Sequence, residues 1–198
     1  MACRFRNFWP AVACLIVLGL SAWAPPVRAQ KQTAATPVYQ VFGFNDLGMH
    51  CYDQDFSVFS LLPLFNVIHA QVLTKGTKPI LLNDTQVKLT YAATADPSGS
   101  INSTSIGKTN FWYYLVKLFG LSQPLDTGIL GYKMPNAAFG PQSLAPYDPT
   151  YQWFSATGIP LTNIDDFGII NCFSMMKIAA LDKNRSSRFL PQNIRAHL

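Results

Sequence analysis

Apolar and polar positions fall into short, strand-sized patterns along most of this chain. Val38 to Phe44 is an apolar, aromatic run that predicts a first strand. Phe65 to Leu73 (Phe-Asn-Val-Ile-His-Ala-Gln-Val-Leu) is nearly continuous in apolar residues, which predicts a second, buried strand closed by Lys75-Gly76. In Gln86 to Tyr91 the apolar residues Val87, Leu89 and Tyr91 alternate with polar ones, the mark of a strand with one buried face. Met175 to Leu181 predicts a last strand, with Asp182-Lys183-Asn184 as its turn.

A different period governs Phe111, Trp112, Leu115, Val116 and Phe119, whose spacing predicts a short helix. Thr109 or Asn110 is placed to cap its start and Gly120 to stop it, and its aromatics read as core packing. Tyr151 to Ala156 predicts one further helical turn, ended by Gly158-Ile159-Pro160. Between them Pro124, Gly128, Gly131, Pro135, Gly140, Pro141, Pro146 and Pro149 deny residues 121–149 any long regular element. The expected fold is therefore mainly β (β-rich α+β), an antiparallel β-sandwich-like single domain with one or two short helices over residues 37–182.

The N-terminus has another character. Arg4 and Arg6 precede an apolar run from Ala11 to Trp23, and Val27-Arg28-Ala29 offers modest residues for cleavage, the order of parts of a signal peptide over residues 1–29. That apolar run falls short of the ~20 residues needed to span hydrocarbon. The expectation is export to the periplasm or beyond, with no transmembrane segment in the mature chain and a polar tether over residues 30–36. Losing Arg4, Arg6 and Arg28 leaves 12 basic side chains against ten acidic ones, a net charge of about +2. The remaining excess lies in a basic stretch, residues 183–198, that predicts an irregular tail, and nothing in the charge pattern suggests a nucleic-acid groove.

All ten acidic residues are Asp, and Asn, Ser, Gly, Pro and aromatics are frequent, which favours turns and strands over helix interiors. Cys3 and Cys14 belong to the leader, leaving Cys51 and Cys172. Export to an oxidising compartment permits them to form a disulfide, although 121 positions separate them. No CxxC or CxxCH occurs, so no covalent c-type haem attachment motif is encoded.

The densest chemistry lies in Asn45-Asp46-Leu47-Gly48-Met49-His50-Cys51-Tyr52-Asp53-Gln54-Asp55. Asn45, Asp46, Asp53 and Asp55 offer hard oxygens suited to Ca²⁺, while His50 and Cys51 are softer ligands suited to zinc, copper or haem iron. Two other readings stand beside this one: a turn built on Asn45, Asp46 and Gly48, and a Cys51 nucleophile. Neighbours on an extended chain point to opposite faces, so His50 is badly placed to activate Cys51 and such a dyad needs another histidine. His69, inside an apolar strand, reads as a hydrogen-bonded core residue. Asp165 and Asp166 form a second acidic pair, either a cation or acid–base site or a polar turn in Asn163 to Gly168.

Asn45-Asp46-Leu47-Gly48-Met49-His50-Cys51, followed by Asp55-Phe56-Ser57-Val58-Phe59 and Pro63, resembles the signature block of an uncharacterised family of exported bacterial proteins. Gly107 to Trp112, Leu118-Phe119-Gly120, Asp126-Thr127-Gly128, Lys133-Met134-Pro135, Gly158 to Thr162, Asp165 to Gly168, Asn171 and Met175-Met176 continue the likeness over nearly all of residues 40–182. Some relatives carry a haem-binding cysteine motif of multihaem cytochromes, which implies periplasmic or outer-surface redox chemistry, with His50 or Met49 as the candidate iron ligands. The resemblance also implies a return strand after Asp182. This chain continues instead with Lys183-Asn184-Arg185-Ser186-Ser187-Arg188-Phe189, the expected mark of a truncated or frame-shifted terminus. Cys172 is a further departure from the family pattern.

The expected function is that of an exported binding or accessory protein, linked to an extracytoplasmic cytochrome or a membrane-associated redox complex. The alternative is a metal-dependent periplasmic enzyme or redox protein using the Asn45 to Asp55 segment, its cofactor a metal ion or non-covalent haem.

Overall fold

The computed structural model describes residues 39–47, 53–60, 62–136 and 138–183, and the backbone of 192–195, all within one compact unit. Its elements in chain order are β1 (Tyr39–Leu47), β2 (Asn66–Thr74), β3 (Leu81–Leu82), β4 (Val87–Thr94), α1 (Phe111–Phe119), β5 (Gln142–Leu144), β6 (Tyr147–Asp148), β7 (Trp153–Ile159), β8 (Met175–Asp182) and β9 (Gln192–Arg195). They form a mainly β fold of two antiparallel sheets and one helix. The first sheet runs β1-β2-β7-β6, with β3 also pairing β2, and the second runs β5-β4-β8-β9.

Period-two alternation decides which side chains meet between the sheets. Val41 of β1, Ile68, Ala70 and Val72 of β2, and Phe154 and Ala156 of β7 point inward from the first sheet. Val87, Leu89 and Tyr91 of β4, Leu144 of β5, and Met176, Ile178 and Ala180 of β8 point inward from the second, and all belong to one buried cluster. Sheets joined through a single apolar core of alternate residues make a sandwich-like arrangement. At roughly 25 cal/mol per Å² of apolar surface, that shared core is the main favourable term in folding.

The helix lies outside this layer. Phe111 and Leu115 pack with Phe56 and Leu64 into a second, smaller cluster. Gly120 ends the helix in the left-handed region, φ 68°, its N–H donating to Val116 O at 3.0 Å.

Two irregularities interrupt the ladders of the first sheet. Register shifts between Asn45 and Leu47, so that Asn45 opposes Ile68 while Leu47 opposes Val67 and Asp46 is the extra residue of a β-bulge. A second shift sets Asn66 opposite Ile159 but Val67 opposite Thr157, which makes Gly158 the extra residue on β7, at φ 88°. Only glycine fits there without strain, and Gly128 packs directly against it.

Residues 151–156, expected as a helical turn, belong instead to the β6–β7 hairpin and to β7. The apolar residues of β7 are Phe154 and Ala156, alternating with Trp153, Ser155 and Thr157, and pairing with β2 and β6 selects the strand. Residues 192–195, within the stretch expected as an irregular tail, pair with Met175 to Ile178 as β9.

Candidate functional site

The outer face of the first sheet carries an ordered chemical array. Phe44 of β1 lies directly opposite His69 of β2, and His69 lies opposite Ser155 of β7, so the three side chains share one face. The Ser155 N–H turns away from β2 to donate to Pro146 O at 3.0 Å. That geometry makes His69 and Ser155 a non-hydrogen-bonded pair, the arrangement in which facing side chains come closest. Ser155 Oγ accordingly lies 2.7 Å from His69 Nδ1.

Asp46 reaches the same ring from the other side, its Oδ2 3.2 Å from His69 Nε2. The bulge positions it, adding a residue to β1 just where the strand passes His69. Asp46 is well exposed while His69 is only 6% exposed. An ionised carboxylate can only accept, so the Asp46 contact assigns the imidazole proton to Nε2 and leaves Nδ1 to accept from the Ser155 hydroxyl.

Aromatic rings hold the imidazole in this orientation. Trp153 stacks on His69 with centroids 4.1 Å apart and planes 15° from parallel, and Tyr151 stacks on Trp153 at 4.8 Å and 23°. Phe44 meets His69 at 5.4 Å and Trp153 edge-on at 5.6 Å. Phe42 at 50% and Tyr151 at 61% exposure extend the row toward solvent. The β6–β7 hairpin fixes its end, with Asp148 Oδ1 accepting the N–H of Thr150 at 2.7 Å and of Tyr151 at 3.2 Å.

The structure divides the residues that the sequence singled out. Asp46 joins the His69 array. Asn45, half-buried, occupies the opposite register position of β1, across from Ile68. Asp55 is taken up elsewhere: its Oδ1 accepts from the Asn110 side chain at 2.7 Å and from the Ser57 N–H at 2.9 Å. The Asn110 bond first, then the Ser57 hydroxyl and amide, hold its carboxyl below the usual range. Asp53 is half-buried. His50 and Cys51 lie outside the described residues, so the expected pairing of Cys51 with half-buried Cys172 does too. Among the described residues no group of three His, Cys, Asp or Glu side chains gathers around one point.

Asp165 and Asp166 are brought into a network of loops. Asp165 is buried; its Oδ1 accepts from the N–H groups of Phe167 and Ile169, and its Oδ2 from the Ser100 hydroxyl at 2.8 Å. Burial pushes its carboxyl up, but the Ile169 N–H, the Ser100 hydroxyl, the Phe167 N–H and nearby Lys108 together bring it below its ordinary value. Asn171 donates to Ser100 Oγ at 2.7 Å and to Asp96 at 3.3 Å. Asp166 binds Lys108 Nζ at 2.8 Å and the Ser103 hydroxyl at 2.6 Å. An open cleft of about 470 Å³ borders this network, rimmed by Phe167, Ile169 and Ile170. Every carboxylate oxygen named here already accepts a hydrogen bond, which fits loop tethering.

Ser155 and Trp153 are the members of the His69 array that the sequence reading misses. Their signal was the alternation Trp153, Ser155, Thr157 against Phe154 and Ala156, which a helical reading of residues 151–156 obscures. No protein-family model, no curated protein and no solved structure matches this chain.

Proposed function

We propose that this is an exported accessory protein that docks a protein partner on the outer face of its first sheet. The observation that supports this is the row Phe42, Phe44, Trp153 and Tyr151, aromatic rings ranged along a face that the sandwich core does not use. Exposed aromatic residues on a rigid sheet, interspersed with polar groups such as Asp46 and Gln71, have the composition of a protein interface. A flat sugar-stacking platform fits less well, because Trp153 is already stacked on both His69 and Tyr151. Export rests on the leader, and an extracytoplasmic cytochrome or membrane-associated redox complex is the partner that the family resemblance implies.

Photo-crosslinking tests this. A photoreactive residue at Phe42 or Tyr151, in the full chain expressed in its native host, is expected to give a discrete adduct that stains for covalent haem. The same residue at Lys88, on the outer face of the second sheet, is the control. Equal adducts from both faces, or none from the first, overturn the reading.

The alternative, a metal-dependent enzyme built on the Asn45 to Asp55 segment, draws on the carboxylate–imidazole contact of Asp46 and His69 at the start of that segment. Stoichiometric metal in the purified protein that is lost in His50→Ala supports it. Metal-free protein, or metal retained in that variant, counts against it.

A further inference from the structure

The Ser155, His69 and Asp46 chain lies on the same sheet face as the docking row, but its chemistry stands on its own geometry. We propose that it makes Ser155 Oγ a nucleophile toward activated acyl groups, with His69 as its base and Asp46 as the positioning residue.

Three observations support this. The Ser155 hydroxyl lies 2.7 Å from Nδ1, within reach for direct proton transfer. Asp46, at 3.2 Å from Nε2, fixes the tautomer that leaves Nδ1 free to take that proton and stabilises the imidazolium that results. The Trp153 stack and Phe44 hold the ring plane, so the base is set before any substrate arrives. The roles are those of a nucleophile, a base and an orienting carboxylate, here on three adjacent strands of one sheet.

The reaction follows from these groups. Ser155 Oγ attacks the carbonyl carbon of an ester while its proton passes to His69 Nδ1. The tetrahedral adduct collapses, the C–O bond to the leaving group breaks, and the departing alkoxide takes the proton from Nδ1. Water then attacks the acyl-serine by the same proton route, releasing the acid and restoring the hydroxyl. The balance is ester plus water giving acid plus alcohol.

The substrate class is set by what the strand geometry withholds. The Ser155 N–H is committed to Pro146 O, so the amide of the nucleophile does not face the developing oxyanion. An oxyanion donor is worth roughly 10²–10³ in rate. Without it the relay suits acyl groups that carry good leaving groups, such as phenyl esters, and the exposed Phe44 and Tyr151 rings favour an aromatic one.

A fluorophosphonate probe, followed by peptide mass spectrometry, and hydrolysis of p-nitrophenyl acetate test the proposal on the full chain. The expected result is one adduct, on Ser155, with both signals lost in Ser155→Ala and labelling slowed by roughly 100-fold in His69→Gln. Asp46→Asn is expected to retain the adduct but to shift the pH at which labelling is half-maximal, which a purely structural carboxylate does not do. Near-UV circular dichroism of the Trp153 stack reports whether each variant is folded. If His69→Gln fails to fold, Ser155→Ala and the Asp46→Asn pH profile carry the test. No adduct on Ser155 in folded wild-type protein, a folded His69→Gln variant that labels at the wild-type rate, or an unmoved Asp46→Asn profile overturns the proposal.

Discussion

Asp55 and Asn110, far apart in sequence, clamp the segment before the helix to the helix itself. Asp55 Oδ1 accepts the Asn110 amide N–H at 2.7 Å, while Asn110 Oδ1 accepts the backbone N–H of Phe56, also at 2.7 Å. Phe56 and Phe111, each next in sequence to a member of the clamp, meet edge-on at 5.1 Å in the smaller core. Asn110 therefore does not cap α1 with its side chain, as its position in the sequence suggests; it spends both ends of its amide on the 55–56 segment.

Asn110→Ala removes two hydrogen bonds at once and leaves the Phe56 N–H without its acceptor. It is expected to destabilise the protein by about 2 kcal/mol. Asn110→Asp keeps the acceptor but sets a second carboxylate against Asp55, so its penalty should grow as pH rises through the carboxylate range. Urea unfolding of both variants at pH 4 and pH 7 checks this.

Gly128, in the 126–131 loop, packs against the backbone of β7 at its Gly158 bulge. A Cβ there would come within 1.9 Å of Gly158 O, an atom that cannot turn aside as a flexible side chain would. Gly128→Ala is expected to cost about 3 kcal/mol, through displacement of β7 or the 126–131 loop. Thermal melting measures it, and a loss below about 0.5 kcal/mol would show that the contact relaxes freely.

Lys108 and Asp166 form an ion pair whose lysine side chain is 9% exposed and whose aspartate is 23% exposed. Such a pair lies between the exposed and the buried limits. Asp166→Asn, which removes the charge paired with the ammonium while its hydrogen bond to Asn102 Oδ1 stays, is expected to cost about 2 kcal/mol. Adding Lys108→Met should recover part of that loss, because it removes the uncompensated charge. A double-mutant cycle by chemical denaturation gives the coupling directly.

Acid should unfold this domain through its loop carboxylates. Asp96 is held below its usual range, first by the Ser98 hydroxyl, and Asp165 and Asp166 are held below theirs despite opposing burial. A lowered folded pKa means that the unfolded chain binds more protons in this range. The stabilisation is therefore complete above the ordinary carboxylate value near ~3.9 and is lost as pH falls through the folded values. Melting temperature should be flat above about pH 5 and fall steeply below about pH 4. Ser100→Ala, which deprives Asp165 of one donor and the Asn171 amide of an acceptor, should lower stability at pH 7, with a deficit that narrows in acid as the Asp165 share is lost.

The layer of strands with the plainest periodicity was legible in the sequence. Val87, Leu89 and Tyr91 share an inward face as their alternation requires, and α1 spans Phe111–Phe119 as its apolar spacing implies. β7 was not legible, because Tyr151, Trp153 and Phe154 crowd together in a way that also suits a helical turn, and pairing with β2 and β6 decided the outcome. The site was half legible for a related reason. Asp46 stood out among the acidic residues and His69 among the apolar ones, but the sequence could not show that a bulge would bring them within 3.2 Å. Ser155 completes the array from 86 positions away, a relation that only strand order establishes.

The extra residue in β1 is separable from the fold that carries it. Were Asp46 absent, Asn45 opposite Ile68 would be followed at once by Leu47 opposite Val67, and the ladder would run unbroken with Phe42 and Phe44 still facing outward. Loss of a residue within the regular part of the strand would instead turn one flank inside out, because each side chain beyond it changes face. Position 46 is thus the place in β1 where a chemical group can be gained or lost by a single insertion or deletion while the sheet keeps its register.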